Sequence, residues 1–310
     1  MRFISNEWMK LWSKKSSWVM LVLIAILAIA PAFLIRSVED PIDNSWKTDL
    51  RETIVMYESF LVDETMDADM QQFYEEEIMI AQHQLDHDIA PTGTTLDSYV
   101  YSALEVFTVF ITIFAVVVGA GIVSSEFSTG TIKMLLTRPV KRWKILLSKL
   151  CTTILFGFAL YVVGIALAAI TGLFMFGTES STAFHVVDGN VVTANVWATA
   201  LHYFVLSLSN FFMSIFLAFM LGTLFTSSSL AIGLTLFVSL MGSTAVFILS
   251  DYDFVKYIWI THSDLTQFMP GNSTMLPDMT LTTSLVINVI YALAFLAITF
   301  IVFMRRDVTA

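Results

Sequence analysis

The chain has 310 residues, of which 56% are hydrophobic and 14% are charged, and its formal net charge is −10. Soluble domains usually carry about 25% charged residues, and the apolar residues here form long uncharged runs without a helix or strand period. This composition excludes a soluble enzyme, a disordered chain and a disulfide scaffold. It indicates an integral membrane protein.

Six uncharged apolar runs are long enough to cross a bilayer as helices, a crossing that takes about 20 residues. We therefore predict an all-α membrane protein with six transmembrane helices. The predicted spans are residues 17–36, 99–123, 150–176, 198–225, 230–250 and 281–304. A membrane β-barrel would instead show stretches of roughly 10 alternating residues, and none of these runs alternates.

The basic residues are distributed unevenly along the chain. Twelve of the 16 lysines and arginines lie in residues 1–16, 124–149 and 305–310, which together contain three acids. Positive residues near the ends of spans are retained in the cytoplasm. We therefore predict that both termini and the loop 124–149 are cytoplasmic.

Residues 1–16 precede the first span and have an amphipathic pattern. Ile4, Trp8, Leu11 and Trp12 share one helix face, with lysines between them. Such a helix lies in the headgroup layer, where it contacts membrane lipid. The alternative is a plain charged anchor before the first span.

Residues 37–98 contain 16 acids and two basic residues, Lys47 and Arg51. Several apolar residues recur here at helical spacing, regularly in the first half and less regularly in the second: Leu50, Ile54, Tyr57 and Leu61, then Met66, Met70, Phe73 and Ile80. We predict a helical extracellular insert of two helices, too small for a core of its own.

Two histidines of this insert, His83 and His87, are four residues apart, which is the spacing of zinc ligands on a helix. Gln84 stands where a metalloprotease has its catalytic glutamate, and a third ligand would have to be Glu76. The alternative, a solvated polar helix face, is the interpretation we favour. We therefore predict no metal site and keep this pair as a weak candidate.

Polar residues within the predicted spans are candidates for a transport pathway. They are Glu105, His202, Asn210 and Asn288. No acid lies at mid-membrane, which argues against a proton- or sodium-coupled transporter. In the third span, Gly164, Ala168 and Gly172 form a stripe of small residues that predicts close helix packing.

Two further segments connect spans outside the membrane. Residues 177–197 are predicted to be an extracellular loop. Residues 251–280 are too polar to cross and too apolar for a plain loop, which predicts extracellular re-entrant or interfacial helices, broken at Pro270.

The cytoplasmic loop 124–149 contains a short helical pattern. Thr131 to Thr137 can form two turns that present Leu135 and Leu136, and Pro139 stops the helix. A short amphipathic helix held at the membrane face could dock a cytoplasmic protein. The alternative is an interfacial loop that carries only the lysines expected of any cytoplasmic loop.

At this loop the sequence resembles the permease (transmembrane) subunits of type-2 ATP-binding-cassette (ABC) exporters. The pattern consists of Glu126, Gly130-Thr131, Leu135-Leu136, Pro139, Arg142 and the following Lys149. The arrangement of the six spans and of the segments between them also agrees. The resemblance implies a coupling helix that sits in a groove of an ATPase subunit, with the coupling residues Glu126, Gly130, Thr131, Leu135, Leu136, Arg138, Pro139 and Arg142.

The resemblance also implies partners. These are two ABC ATPase subunits and a second permease subunit, in a homodimer or a heterodimer, in the plasma membrane of a bacterium. Export of an antibiotic peptide, a lipid-like molecule or an ion is the implied function.

The sequence has no glycine-rich loop followed by Lys and Ser or Thr. ATP and magnesium are therefore expected on the partner subunit, and the chain is expected to be no enzyme, to hold no cofactor and to bind no nucleic acid. Two alternatives remain. One is a membrane sensor or scaffold with an acidic ligand-binding insert, and the other is a passive channel.

Overall fold

A computed structural model describes residues 2–39, 45–62, 66, 68–129, 141–187, 189–225 and 227–305 of the chain. Ten α-helices and one β-hairpin follow each other along these residues. They are α1 (Arg2–Trp12), α2 (Lys15–Val38), α3 (Trp46–Phe60), α4 (Ala68–Asp86), α5 (Leu96–Ser128), α6 (Arg142–Phe176), β1 (Thr182–Val187), β2 (Asn190–Asn195), α7 (Val196–Leu224), α8 (Ser228–Ile248), α9 (Trp259–Ser263) and α10 (Leu281–Arg305). Short 3₁₀ turns at Asp253–Tyr257 and Leu265–Phe268 flank α9.

Six of the helices are long and apolar enough to cross a membrane: α2, α5, α6, α7, α8 and α10. Each overlaps one of the six predicted spans, and α7 and α8 end one and two residues before the spans predicted there, at Leu224 and Ile248. The prediction of a helical protein with six helices able to cross a membrane is confirmed. The helices α5 and α6 extend beyond the apolar runs, because a helix continues through polar residues as long as its backbone hydrogen bonds are satisfied. Residues 124–128 and 142–149, at the two ends of the predicted cytoplasmic loop 124–149, belong to these two helices.

Local sequence explains where several helices begin. The helix α5 begins with a capping box: the side chain of Thr95 accepts a hydrogen bond from the backbone N–H of Ser98, and the side chain of Ser98 accepts one from the backbone N–H of Thr95. The side chain of Asn195 accepts hydrogen bonds from the backbone N–H groups of Trp197 and Ala198, at 2.9 and 3.2 Å, and so caps α7.

The helix α5 lies at the centre of the bundle and packs against α2, α6, α7 and α8. Its buried Phe107 and Ile111 share a core with Phe156 of α6 and Phe211 of α7. Close approach depends on glycine. A Cβ added to Gly222 of α7 would lie 2.7 Å from the carbonyl oxygen of Ala120 in α5.

The predicted stripe of small residues on α6 is in close contact with its neighbours. A Cβ on Gly164 would lie 3.0 Å from Ile24 of α2, and one on Gly172 would lie 3.0 Å from Leu96 of α5. Ala168, between them, is fully buried. The prediction that this stripe serves helix packing is confirmed.

The two helices of the insert, α3 and α4, pack on each other through Ile54, Ile78 and Ala81. The regular pattern of α3 identified its buried face, since Leu50, Tyr57 and Leu61 border this small core. The irregular pattern of α4 did not, because Met70 and Phe73 are about half exposed.

Residues 177–197 differ from the predicted plain loop. Within them β1 and β2 form an antiparallel hairpin, with Phe184 opposite Thr193 and His185 opposite Val192. The first strand contacts α4, so that the hairpin lies between the insert and the bundle. This pair of strands corrects the all-α prediction in one small element.

Candidate functional site

Lys149 is a fully buried lysine in α6, and its ammonium group lies between two carboxylates. Its Nζ donates to Oε2 of Glu7 at 2.8 Å and to Oε1 of Glu126 at 2.6 Å. Lys10 also donates to Oε1 of Glu126, at 3.0 Å, and lies 3.5 Å from Oε1 of Glu7. We call Glu7, Lys10, Glu126 and Lys149 the Lys149 network.

The four residues come from three helices that meet at one end of the bundle. Glu7 and Lys10 lie one turn apart on α1, Glu126 lies in the last turn of α5, and Lys149 lies near the start of α6. The same end holds the end of α10, since Arg142 donates to the carbonyl oxygen of Met304 at 3.1 Å. We call this end of the bundle, where α1, the end of α5, the start of α6 and the end of α10 meet, the basic end.

Apolar packing holds α1 against the bundle at this point. Leu11 is buried, and the ring of Trp12 meets Phe156 of α6 edge-on, with 5.6 Å between ring centroids. The hydroxyl of Ser17 in α2 donates to the carbonyl oxygen of Leu11 at 2.7 Å. The apolar face of the amphipathic helix α1 therefore packs against the rest of the protein. This packing positions Glu7 within hydrogen-bonding distance of the buried Lys149.

The charges within the Lys149 network balance, with two carboxylates and two ammonium groups. Burial of an ion is costly unless it is paired and hydrogen-bonded, and here each buried group has an opposite charge within 3 Å. Partial burial alone would lower the pKa of Lys10. The hydrogen bond and charge of Glu126, together with Glu7, outweigh that effect and raise the pKa of Lys10.

Most of the predicted coupling residues, namely Gly130, Thr131, Leu135, Leu136, Arg138 and Pro139, lie outside the described residues. The structure describes the two at the flanks. Glu126 belongs to the Lys149 network, and Arg142 is the first residue of α6. Both helices that adjoin residues 130–140 carry a member of the network, Glu126 in α5 and Lys149 in α6.

The four polar residues predicted within spans do not converge on one site among the described residues. Glu105 and His202 are exposed, and Asn210 is half-buried and accepts a 3.5 Å contact from Ser214. Asn288 is buried and donates to the carbonyl oxygen of His262 at 2.6 Å.

His262 is a buried polar residue that was not among the predicted site residues. Its Nδ1 lies 2.8 Å from Oγ of Ser284 and its Nε2 lies 2.8 Å from the carbonyl oxygen of Lys256. These bonds fix the turns around α9 to the start of α10. The sequence feature that could have identified this residue is its position between Thr261 and Ser263, directly after a stretch rich in aromatic residues.

The two histidines of the insert lie side by side at the C-terminal end of α4, as their spacing predicts: His83 is in the last turn of the helix and His87 directly follows its last residue, Asp86. The ring centroids of His83 and His87 are 4.1 Å apart, and Nδ1 of His87 lies 2.9 Å from the carbonyl oxygen of His83. Among the described residues, no group of three His, Cys, Asp or Glu side chains could hold a metal ion.

Comparisons with known proteins identify relatives of this chain. The chain is similar to "Uncharacterized protein YhcI" of Bacillus subtilis (strain 168), with 34% identity over 315 residues and 99% of each chain covered. It is also similar to "Uncharacterized membrane protein YdbK" of the same organism, with 32% identity over 199 residues, 62% of this chain and 76% of the relative. With its six apolar helices, the chain is a multi-pass helical membrane protein.

Residues 70–309, most of the chain, match a family model described as "Protein of unknown function (DUF2705)". The match begins within α4 and includes every span after the first. The chain therefore belongs to the DUF2705 family.

Proposed function

We propose that this chain is the permease subunit of a type-2 ABC exporter, in which a separate ATPase subunit drives export across the plasma membrane of a bacterium. The Lys149 network is the observation that carries the proposal. It ties together α5 and α6, the two helices that adjoin residues 130–140, and it adds α1 as a third element.

A coupling element must transmit force from a docked ATPase into the spans. Glu126 and Lys149 join the end of α5 to the start of α6 at 2.6 Å, and Lys149 is fully buried. A displacement of residues 130–140 would therefore move both helices as one unit. Glu7 would carry the same displacement into α1.

In this proposal the basic end of the bundle is cytoplasmic, both termini included, and the acidic insert is extracellular. Labelling with a membrane-impermeant maleimide tests the orientation in a Cys151→Ser background. Glu75→Cys on α4 should react in intact cells, and Thr129→Cys at the end of α5 should react after the cells are opened; both side chains are exposed. Reaction of Thr129→Cys in intact cells would reverse the orientation.

The partners proposed are an ABC ATPase, which binds ATP and magnesium, and a second permease subunit, identical or different. The proposed substrates are an antibiotic peptide, a lipid-like molecule or an ion. The chain itself is proposed to hydrolyse nothing, in line with the lack of a phosphate-binding loop in its sequence.

The test compares Leu135→Asp with Leu135→Met in the tagged full chain. Aspartate would bring an unpaired charge into an apolar seat, whereas methionine conserves apolar volume. The wild type and Leu135→Met should co-purify from native membranes with a chain that has a nucleotide-binding motif, and Leu135→Asp should insert normally and lose it. If the wild type captures no such ATPase, or if Leu135→Asp captures it equally, the coupling proposal fails.

A further inference from the structure

A cavity of about 540 Å³ opens beside the Lys149 network at the basic end of the bundle. Its floor is α5, one wall is formed by α1 and the start of α2, and the other wall by the start of α8. Both α2 and α8 pack on α5, and the cavity lies in the cleft between them.

The lining changes from polar to apolar along the helix axes. Lys10, Lys14 and Glu126 lie at the basic end, and Val117, Met20 and Ile232 lie deeper in the bundle. Glu126 lies nine positions after Val117 in α5, a rise of about 13 Å along the helix. The cavity is thus amphipathic over a length that accommodates a headgroup and the upper part of an acyl chain.

Two polar atoms, one on the floor and one on the wall formed by α8, are buried without a hydrogen-bond partner among the residues that the structure describes. They are Oε2 of Glu126 and Oγ of Ser228, and both residues line the cavity. Buried polar atoms in native proteins are almost always paired, so a carboxylate oxygen in this state indicates a missing donor. A donor that carries a positive charge would suit it best.

Three charged residues of the lining, Glu7, Lys10 and Glu126, belong to the Lys149 network, whose charges balance, and Lys14 adds one positive charge. A zwitterion fits this lining, because its anion finds Lys14 and its cation finds the unpaired oxygen of Glu126.

We propose that this cavity binds one phospholipid with a primary ammonium headgroup, of the phosphatidylethanolamine type. The ammonium group supplies the donor for Glu126, the phosphate lies at Lys10 and Lys14, and an acyl chain covers the apolar wall. The lipid fills the cleft between α2 and α8. This inference is independent of the transport proposal.

Native mass spectrometry of the purified full chain tests the headgroup. The protein is titrated with dioleoyl phosphatidylethanolamine, dioleoyl phosphatidylcholine and dioleoyl phosphatidylglycerol. The choline group is a cation that donates no N–H hydrogen bond, and the glycerol lipid has a net negative charge. We expect one bound ethanolamine lipid per chain, preferred about tenfold over either of the others, which is the discrimination of one charge-assisted hydrogen bond. Equal binding of the three lipids would overturn the proposal.

A cavity-filling variant tests the place. A Cβ on Gly121 would meet Cδ1 of Ile232 at 3.7 Å, an ordinary contact, so that Gly121→Leu extends into the cavity. The matched control is Gly233→Leu on α8, where an added Cβ meets nothing within 4 Å. Gly121→Leu should lower the affinity for the ethanolamine lipid about tenfold or more, and Gly233→Leu should leave it unchanged.

A second route remains if Gly121→Leu folds poorly. Lys14→Gln changes an exposed side chain and should weaken binding of the ethanolamine lipid several-fold, with the melting temperature unchanged. Unchanged affinity in a folded Gly121→Leu or in Lys14→Gln would refute the site. So would a Gly121→Leu chain that changes its oligomeric state and keeps its lipid, since a second copy of the chain would then occupy the cleft.

Discussion

Replacement of Lys149 by methionine removes the central cation of the Lys149 network and keeps an unbranched side chain that is one atom shorter. Glu7 and Glu126 would remain, each with 9% of its side chain exposed, and Lys10, with 56% exposed, would be the remaining cation of the network. Loss of one partner from a buried ion pair typically costs about 3–5 kcal/mol. Because Lys10 still offsets part of the negative charge, we expect a loss near the lower limit, about 3 kcal/mol of unfolding free energy.

Thermal melts of the detergent-solubilised full chain measure this loss. The control is Lys144→Met on the same helix, where the exposed ammonium lies 5.6 Å from the ring centroid of Trp143. Such a surface change should alter stability by no more than about 0.5 kcal/mol. The double variant Lys149→Met/Glu126→Leu leaves Glu7 with Lys10 and should recover most of the loss, because it leaves no excess negative charge in the network.

Two results would refute this reasoning. If Lys149→Met melts at the temperature of Lys144→Met, the buried ion network does not stabilise the bundle. If the double variant melts no higher than Lys149→Met alone, the loss arises from packing around the lysine stem, and the pairing with Glu126 is not its cause.

Three other changes have defined outcomes. Gly222→Ala should cost about 1–3 kcal/mol, since its Cβ meets the backbone of α5, whereas Gly233→Ala has free space and should melt no lower than the wild type. Burial and the charge of the preceding glutamate raise the pKa of Glu77. The carboxyl therefore holds its proton more tightly in the folded state than in the unfolded state, and stability falls as pH rises from the pKa of the unfolded state to that of the folded state. At pH 7, Glu77→Gln should therefore have a higher melting temperature than the wild type, with a gain in unfolding free energy of less than about 1 kcal/mol, and near pH 4 the difference should disappear. A zinc titration of the purified chain should be the same for the wild type and for His83→Ala/His87→Ala; a high-affinity site lost in the double variant would contradict this.

The number and order of the membrane-crossing helices could be predicted because exclusion of charge from hydrocarbon leaves a direct mark on the sequence. Their ends could not. The run in the second span stops at Val123, and α5 continues to Ser128. Hydropathy measures what the bilayer tolerates, whereas the end of a helix depends on backbone hydrogen bonds and caps, which polar residues support equally well.

The hairpin between α6 and α7 had a signal in the sequence that the prediction of a plain loop did not use. Asp188-Gly189 stands between the β-branched pairs Val186-Val187 and Val191-Val192, and such a dipeptide favours a two-residue turn. Gly189 has a φ of 75°, a region that glycine enters without strain. The buried face of α4 had no such signal, because a small insert leaves large apolar residues exposed on both of its helices.

The Lys149 network joins residues that are 142 and 23 positions apart, and no spacing rule connects them. A count of charges could have done so. Three acids lie among the basic segments, Glu7, Glu126 and Asp307, and the first two contact the buried lysine. In a soluble protein such a count carries little information, because acids are plentiful and water solvates an unpaired lysine. At the end of a membrane bundle a buried lysine requires a carboxylate, and where few carboxylates exist the amino-acid sequence alone nearly determines the pairing.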